Sequence, residues 1–94
     1  MPEICRFFGI VIAMYYKEHM PPHFHAKYAG HRASFSIQDL KIIEGGLPRR
    51  AVSLVLEWAF QRRDDLMANW ERAQRKEARA HIEPLEWRSQ LCVT

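Results

Sequence analysis

The chain predicts an α+β domain: an antiparallel sheet of four to five strands, followed by one long C-terminal helix laid across one sheet face. Two observations carry this. Up to Gly45-Gly46 the apolar residues alternate with a period of two, and β-branched and aromatic residues are frequent. From Pro48 onward the period changes to about 3.6, and no proline or glycine interrupts the chain between Arg49 and Glu83. Strands first and a helix afterwards give segregated layers rather than an alternating α/β order.

The first strand is expected over Ile4 to Phe8, ending at Gly9, where a tight turn or a bulge leads into a second strand from Ile10 to Tyr16. Both faces of the second strand are apolar, with Ile10, Ile12, Met14 and Tyr16 on one and Val11, Ala13 and Tyr15 on the other. It should therefore be central. Lys17 to Pro22 reads as a loop. A third strand runs from about His23 to Tyr28, and Ala29-Gly30-His31-Arg32 forms a hairpin turn. Ala33 to Ile37 alternates, which turns Phe35 and Ile37 inward and Ser34 and Ser36 outward. Leu40 to Glu44 is the last strand, broken by Gly45-Gly46.

Pro48 suits the first turn of a helix, where its missing N–H costs nothing. Val52, Val55, Ala59, Leu66, Trp70 and Ala73 recur at helical spacing. One helix from Pro48 to about Arg75 would be roughly 40 Å long, longer than the sheet beneath it. The stripe weakens at Arg62-Arg63-Asp64-Asp65, so the alternative is a bend or break there. Ile82 to Leu85 is read as an extended tail.

The chain's 94 residues suffice for a single domain spanning 1–94. Apolar residues make up 48% and charged residues 27%, which argues against a disordered chain. The net charge of +3 permits contact with nucleic acid without demanding it. Cys5 and Cys92 are read as thiols in a reducing compartment rather than a bridge. The start lacks the pattern of a secretory signal, and the apolar run from Phe7 to Tyr16 is about half the length that crosses a bilayer. A cytoplasmic protein with no membrane contact is expected.

Chemistry concentrates in His19-Met20-Pro21-Pro22-His23-Phe24-His25. In an extended segment His23 and His25 share one face while Phe24 points the other way. The two prolines stiffen the approach. Three functional readings arise. His23 and His25, with His19 as a third ligand, could chelate a divalent ion, but the spacing matches no standard structural zinc site, so no metal or cofactor is assigned. The preferred enzyme reading is metal-free acid–base cleavage of RNA by His19, His23 and His25, with Lys17, Lys27 or Arg32 holding a phosphate. In the third reading the imidazoles are scaffold, His23 bonding the loop backbone. His31 and His81 read as solvated.

The helix raises a separate question. Eight basic and five acidic residues lie between Arg49 and Arg79, which fits a nucleic-acid stripe or a solvated face. If the helix overhangs the sheet, Arg62, Leu66 and Trp70 form a surface that a partner or a second copy would bury. The alternative is that Trp70 packs against the sheet or the tail.

Several segments together resemble a known family. They are Pro2-Glu3-Ile4, Phe8-Gly9-Ile10, Met14-Tyr15, His19-x-Pro21-Pro22-His23-Phe24-His25-Ala26, Gly46-Leu47-Pro48-Arg49-Arg50, Val55-x-Glu57-Trp58, Leu66-x-x-Asn69-Trp70 and Ile82-Glu83-Pro84-Leu85. The chain resembles the bacterial domain-of-unknown-function family 4160 (DUF4160) over nearly its whole length. Glu18 and Met20 stand where the family pattern usually has Asp and Asn. The resemblance implies a small stand-alone protein, the toxin of a toxin–antitoxin pair, neutralised by a partner of domain-of-unknown-function family 2442. Two functions are carried forward. One is a toxin acting on RNA through the His23/His25 face. The other is a non-enzymatic protein-binding module that uses the long helix.

Overall fold

The computed structural model describes residues 3–16 and 18–85. Five strands, β1 (Glu3–Phe7), β2 (Ile10–Ala13), β3 (His23–Tyr28), β4 (His31–Ser36) and β5 (Ile42–Gly46), form one antiparallel sheet in the order β1-β2-β3-β4-β5. Each strand pairs with its neighbour in the chain. The α+β expectation stands, with five strands and the helical segment after them.

The helical segment corrects the expectation of one long helix. Helix α1 spans Arg49–Gln61 and α2 spans Arg63–Gln74. Between them Arg62 takes φ −114° and ψ 23°, outside the helical region. No apolar residue between Gln61 and Asp65 holds this stretch onto the sheet. Asp64 and Asp65 lie in the first turn of α2, where carboxylates favour a helix N-terminus. The break redirects the second half of the stripe into the domain. Leu66, Asn69, Trp70 and Ala73 are all buried.

β1 lies one residue earlier than expected, and the limits of β2, β4 and β5 also differ. The second strand stops at Ala13 rather than Tyr16. β4 begins at His31, because Ala29 and Gly30 alone make the turn, both at positive φ. β5 includes Gly45-Gly46 rather than stopping before them. Gly45 has φ +75°, and a Cβ there would lie 2.3 Å from the Arg32 carbonyl oxygen, so only glycine lets β5 lie this close to β4.

Phe24, Phe35, Ile10 and Ile12 are fully buried, and α1 covers them with Trp58. The Trp58 ring lies 5.4 Å from Phe7 and 5.8 Å, edge-on, from Phe24, which stacks on Phe35. Such pairs contribute about 0.5–1.5 kcal/mol each beyond area burial. The tail then closes the structure. Trp58 Nε1–H donates to the Glu83 carbonyl at 2.8 Å. Asn69 donates to the Ala80 carbonyl and accepts the Ala80 N–H, both at 2.8 Å. The Ile82 N–H donates to the Ile4 carbonyl on the outer side of β1. Trp58, Asn69 and Trp70 of the sequence pattern thus serve the core and the tail.

Among the described residues, no helix is long and apolar enough to cross a membrane. Cys5 is buried as a free thiol, and burial pushes it up to about 11. Cys92, and with it the question of a bridge, lies outside the described residues.

Candidate functional site

β3 delivers His23 and His25 as the alternation requires. Phe24 enters the core, while the two imidazoles meet on the other side with ring centroids 5.2 Å apart. Behind them the chain from Glu18 to Pro22 folds back, with the Met20–Pro21 peptide in the cis form. This return brings the Glu18 carboxylate to the imidazoles. Glu18 Oε1 lies 2.6 Å from His25 Nε2 and 3.4 Å from His23 Nε2.

The outer ring nitrogens are also held. His23 Nδ1 lies 2.8 Å from the Pro21 carbonyl oxygen, which only accepts, so Nδ1 carries the hydrogen. Neutral His23 therefore presents an unprotonated Nε2 to the cluster. His25 Nδ1 lies 3.2 Å from Ser34 Oγ, its cross-strand partner on β4, and Nε2–H donates to Glu18. The two imidazoles are thus oppositely disposed, one offering a lone pair and the other a proton.

Their surroundings are aromatic on two sides. Trp70 of α2 lies 5.2 Å from the His23 ring, and Tyr15 meets His25 edge-on at 4.8 Å. The helix also steadies the loop, since Gln74 Nε2–H donates to the Glu18 carbonyl at 3.1 Å. The His23 side chain is 11% exposed, and Glu18 and His25 are each 25% exposed. Solvent reaches the cluster through an open pocket of about 430 Å³ bordered by Met20, Ile43 and Glu44. An adjoining pocket carries Lys27 and Arg32 beside His25 and Ser34.

Of the residues singled out from sequence, His23 and His25 come together. His19 is exposed on the pocket rim and is not part of the cluster. Glu18 takes the third place. Lys17 lies outside the described residues. Lys27 and Arg32 line the adjoining pocket together with His25 and Ser34. His31 and His81 are exposed.

Leu66 and Trp70, expected to await a partner, are 0% and 4% exposed within the chain itself. Arg62 sits at the helix break, half-buried. The overhang that motivated a docking surface at Arg62, Leu66 and Trp70 is absent because α2 bends inward. Trp70 packs behind the histidines instead.

Sequence reasoning missed Glu18 and Ser34. Ser34 could have been found: a two-residue turn at Ala29-Gly30 pairs Tyr28 with His31 and so sets His25 opposite Ser34.

These features define a small α+β protein with a Glu-His-His cluster at the start of its third strand. The chain belongs to DUF4160, the family described as a domain of unknown function, whose model matches residues 9–71. All three residues of the cluster fall within the matched segment. Comparison with curated proteins and with solved structures gives no match.

Proposed function

We propose that the protein is the toxin of a bacterial toxin–antitoxin pair, neutralised by a family-2442 protein, and that it cleaves RNA at the Glu18–His23–His25 cluster. The observation that supports the chemistry is the opposite disposition of the two imidazoles around one carboxylate oxygen. The resemblance to DUF4160 supplies the biological setting.

His23 Nε2 accepts the proton of a ribose 2′-hydroxyl, whose oxygen attacks the adjacent phosphorus. The phosphorus–5′-oxygen bond breaks, and His25, entering the step as an imidazolium between Glu18 and Ser34, gives its Nε2 proton to the leaving oxygen and becomes neutral. The products are a 2′,3′-cyclic phosphate and a free 5′-hydroxyl. Glu18 orients both rings. Lys27 and Arg32 hold the non-bridging phosphate oxygens. Positioned acid–base groups acting this way typically supply about 10²–10⁴-fold each.

The test is growth of cells expressing the chain alone, with the partner co-expressed, and with Glu18→Gln or His25→Asn. The wild-type chain slows growth, the partner relieves the effect, and either variant abolishes both toxicity and RNA cleavage. Single variants of the two more exposed residues are preferred to a double histidine change, because His23 packs on Trp70 and its loss would also cost stability. A folded His25→Asn protein that remains toxic would overturn the assignment of the site. A wild-type chain that cleaves no RNA would overturn the activity.

A further inference from the structure

The cluster contains an electrostatic mismatch. His23 Nδ1–H is committed to the Pro21 carbonyl, so the lone pair on Nε2 points at a carboxylate oxygen 3.4 Å away. Two acceptors held face to face at this distance are reconciled by a positive charge between them, either a second ring proton on His23 Nε2 or a metal ion. We propose that Glu18, His23 and His25 bind one first-row divalent transition cation, of which zinc is the type, through Glu18 Oε1 and the two imidazole Nε2 atoms.

The geometry and chemistry of the cluster support this. The three ligand atoms lie within 4.8 Å of one another. Zinc binds imidazole nitrogen and carboxylate oxygen at about 2.0–2.2 Å, which places tetrahedral ligands about 3.3 Å apart. The Glu18–His23 separation already matches, and the shorter Glu18–His25 contact opens by under 1 Å when the hydrogen between them is replaced by the ion.

The outer partners are also those of metal-ligating histidines, whose second nitrogen is normally held by a carbonyl, carboxylate or hydroxyl. Pro21 holds His23 so already. His25 moves its proton from Nε2 to Nδ1, where Ser34 Oγ accepts it, and the serine hydroxyl turns away. The net charge of the ring does not change in that step.

The loop that presents Glu18 is fixed from behind by Gln74, and the His23 ring is backed by Trp70, so the ligands are held close together, and binding needs only that the two imidazole nitrogens, within 4.8 Å of one another, draw in toward the ion. Two imidazoles and one carboxylate select zinc, nickel, cobalt or iron over magnesium and calcium, which prefer all-oxygen sites. Three protein ligands, with solvent reaching Glu18 and His25, leave a coordination position for water or substrate.

The inference concerns the same residues as the RNA chemistry and is decided separately from it. The protein is stripped with EDTA, exchanged into chelator-free buffer, and titrated with zinc chloride by calorimetry and by thermal shift. Magnesium chloride serves as the control ion.

One zinc per chain is expected, with a rise in melting temperature and no response to magnesium. Glu18→Ala and His25→Asn should each weaken binding at least tenfold. Ser34→Ala should weaken it about tenfold through the ring it holds. His31→Ala should leave it unchanged. Absence of saturable zinc binding overturns the inference, as does binding that survives Glu18→Ala. If circular dichroism shows His25→Asn to be unfolded, Glu18→Ala decides, since its side chain lies in a solvent-touched loop. An ion on both Nε2 atoms occupies the proposed base and acid, so cleavage is assayed with and without zinc, and zinc binding with no cleavage in either state refutes the activity and leaves the site standing. Undiminished RNA cleavage in EDTA, with no zinc bound, does the reverse.

Discussion

Replacing Asn69 by alanine should detach the tail from the domain. Asn69 is fully buried and occupied on both ends of its amide. Its Nδ2 donates to the Ala80 carbonyl, and its Oδ1 accepts the Ala80 N–H and an Arg72 guanidinium N–H at 2.7 Å. Alanine removes all three bonds. Neutral hydrogen bonds contribute about 0.5–1.5 kcal/mol net, and one to a charged donor about 1.5–3. Ala80 is exposed and can turn to water, which recovers part of the loss. The expected cost is about 2–4 kcal/mol. For a domain of this size that lowers the melting temperature by roughly 10–20 °C. Limited trypsin digestion gives a second readout, because Lys76 and Arg79 sit just before the held residues. Cleavage there should accelerate in the variant well before global unfolding. Asn69→Ala melting within about 0.5 kcal/mol of wild type, with unchanged tryptic kinetics, would show that the tail is held by Trp58, Ile82 and Leu85 and that the amide clamp is incidental.

Gly45→Ala should cost about 2–4 kcal/mol, read by urea unfolding, since it combines a left-handed backbone with a Cβ driven against the Arg32 carbonyl. Gly30→Ala serves as its control, being equally left-handed but open to space. Cys5 makes stability depend on alkaline pH. Burial raises its folded value from 9.0 to about 11, so its contribution is complete below pH 9 and is lost as pH rises through 11. The change is about 2–3 kcal/mol, and the slope should be absent in Cys5→Ala when both proteins are unfolded in urea across that range.

The sheet was legible because each strand declares itself locally. Alternation at Ala33 to Ile37 and the glycine turn at Ala29-Gly30 depend on neighbours only. The single helix failed for the opposite reason. Whether Trp70 overhangs or turns inward is decided by His23, nearly fifty residues earlier, and by a tail that Asn69 captures at Ala80. The weakened stripe at Arg62 to Asp65 marked where a break could fall, but not that inward contacts would reward it. At the site, His23 and His25 followed from period two. Glu18 did not, because its carboxylate arrives through the folding of a loop rather than through any repeat. His19 drew attention by proximity in sequence, and the same loop turns it out to solvent.

The order of the strands in the sheet is the order of the strands in the chain. Such a meander assembles by short loop closures, which form early. The bonds from Gln74 to Glu18 and from Ile82 to Ile4 are of another kind, joining residues separated by most of the polypeptide. A ribosome releases the strands first and α2 later. While it does so, His23 and His25 can be in register on their hairpin with Trp70 not yet behind them and the Glu18 loop not yet tethered. The reactive constellation is therefore a late product of synthesis, and a nascent chain halted before Gln74 would carry both histidines without the support that sets them against the carboxylate.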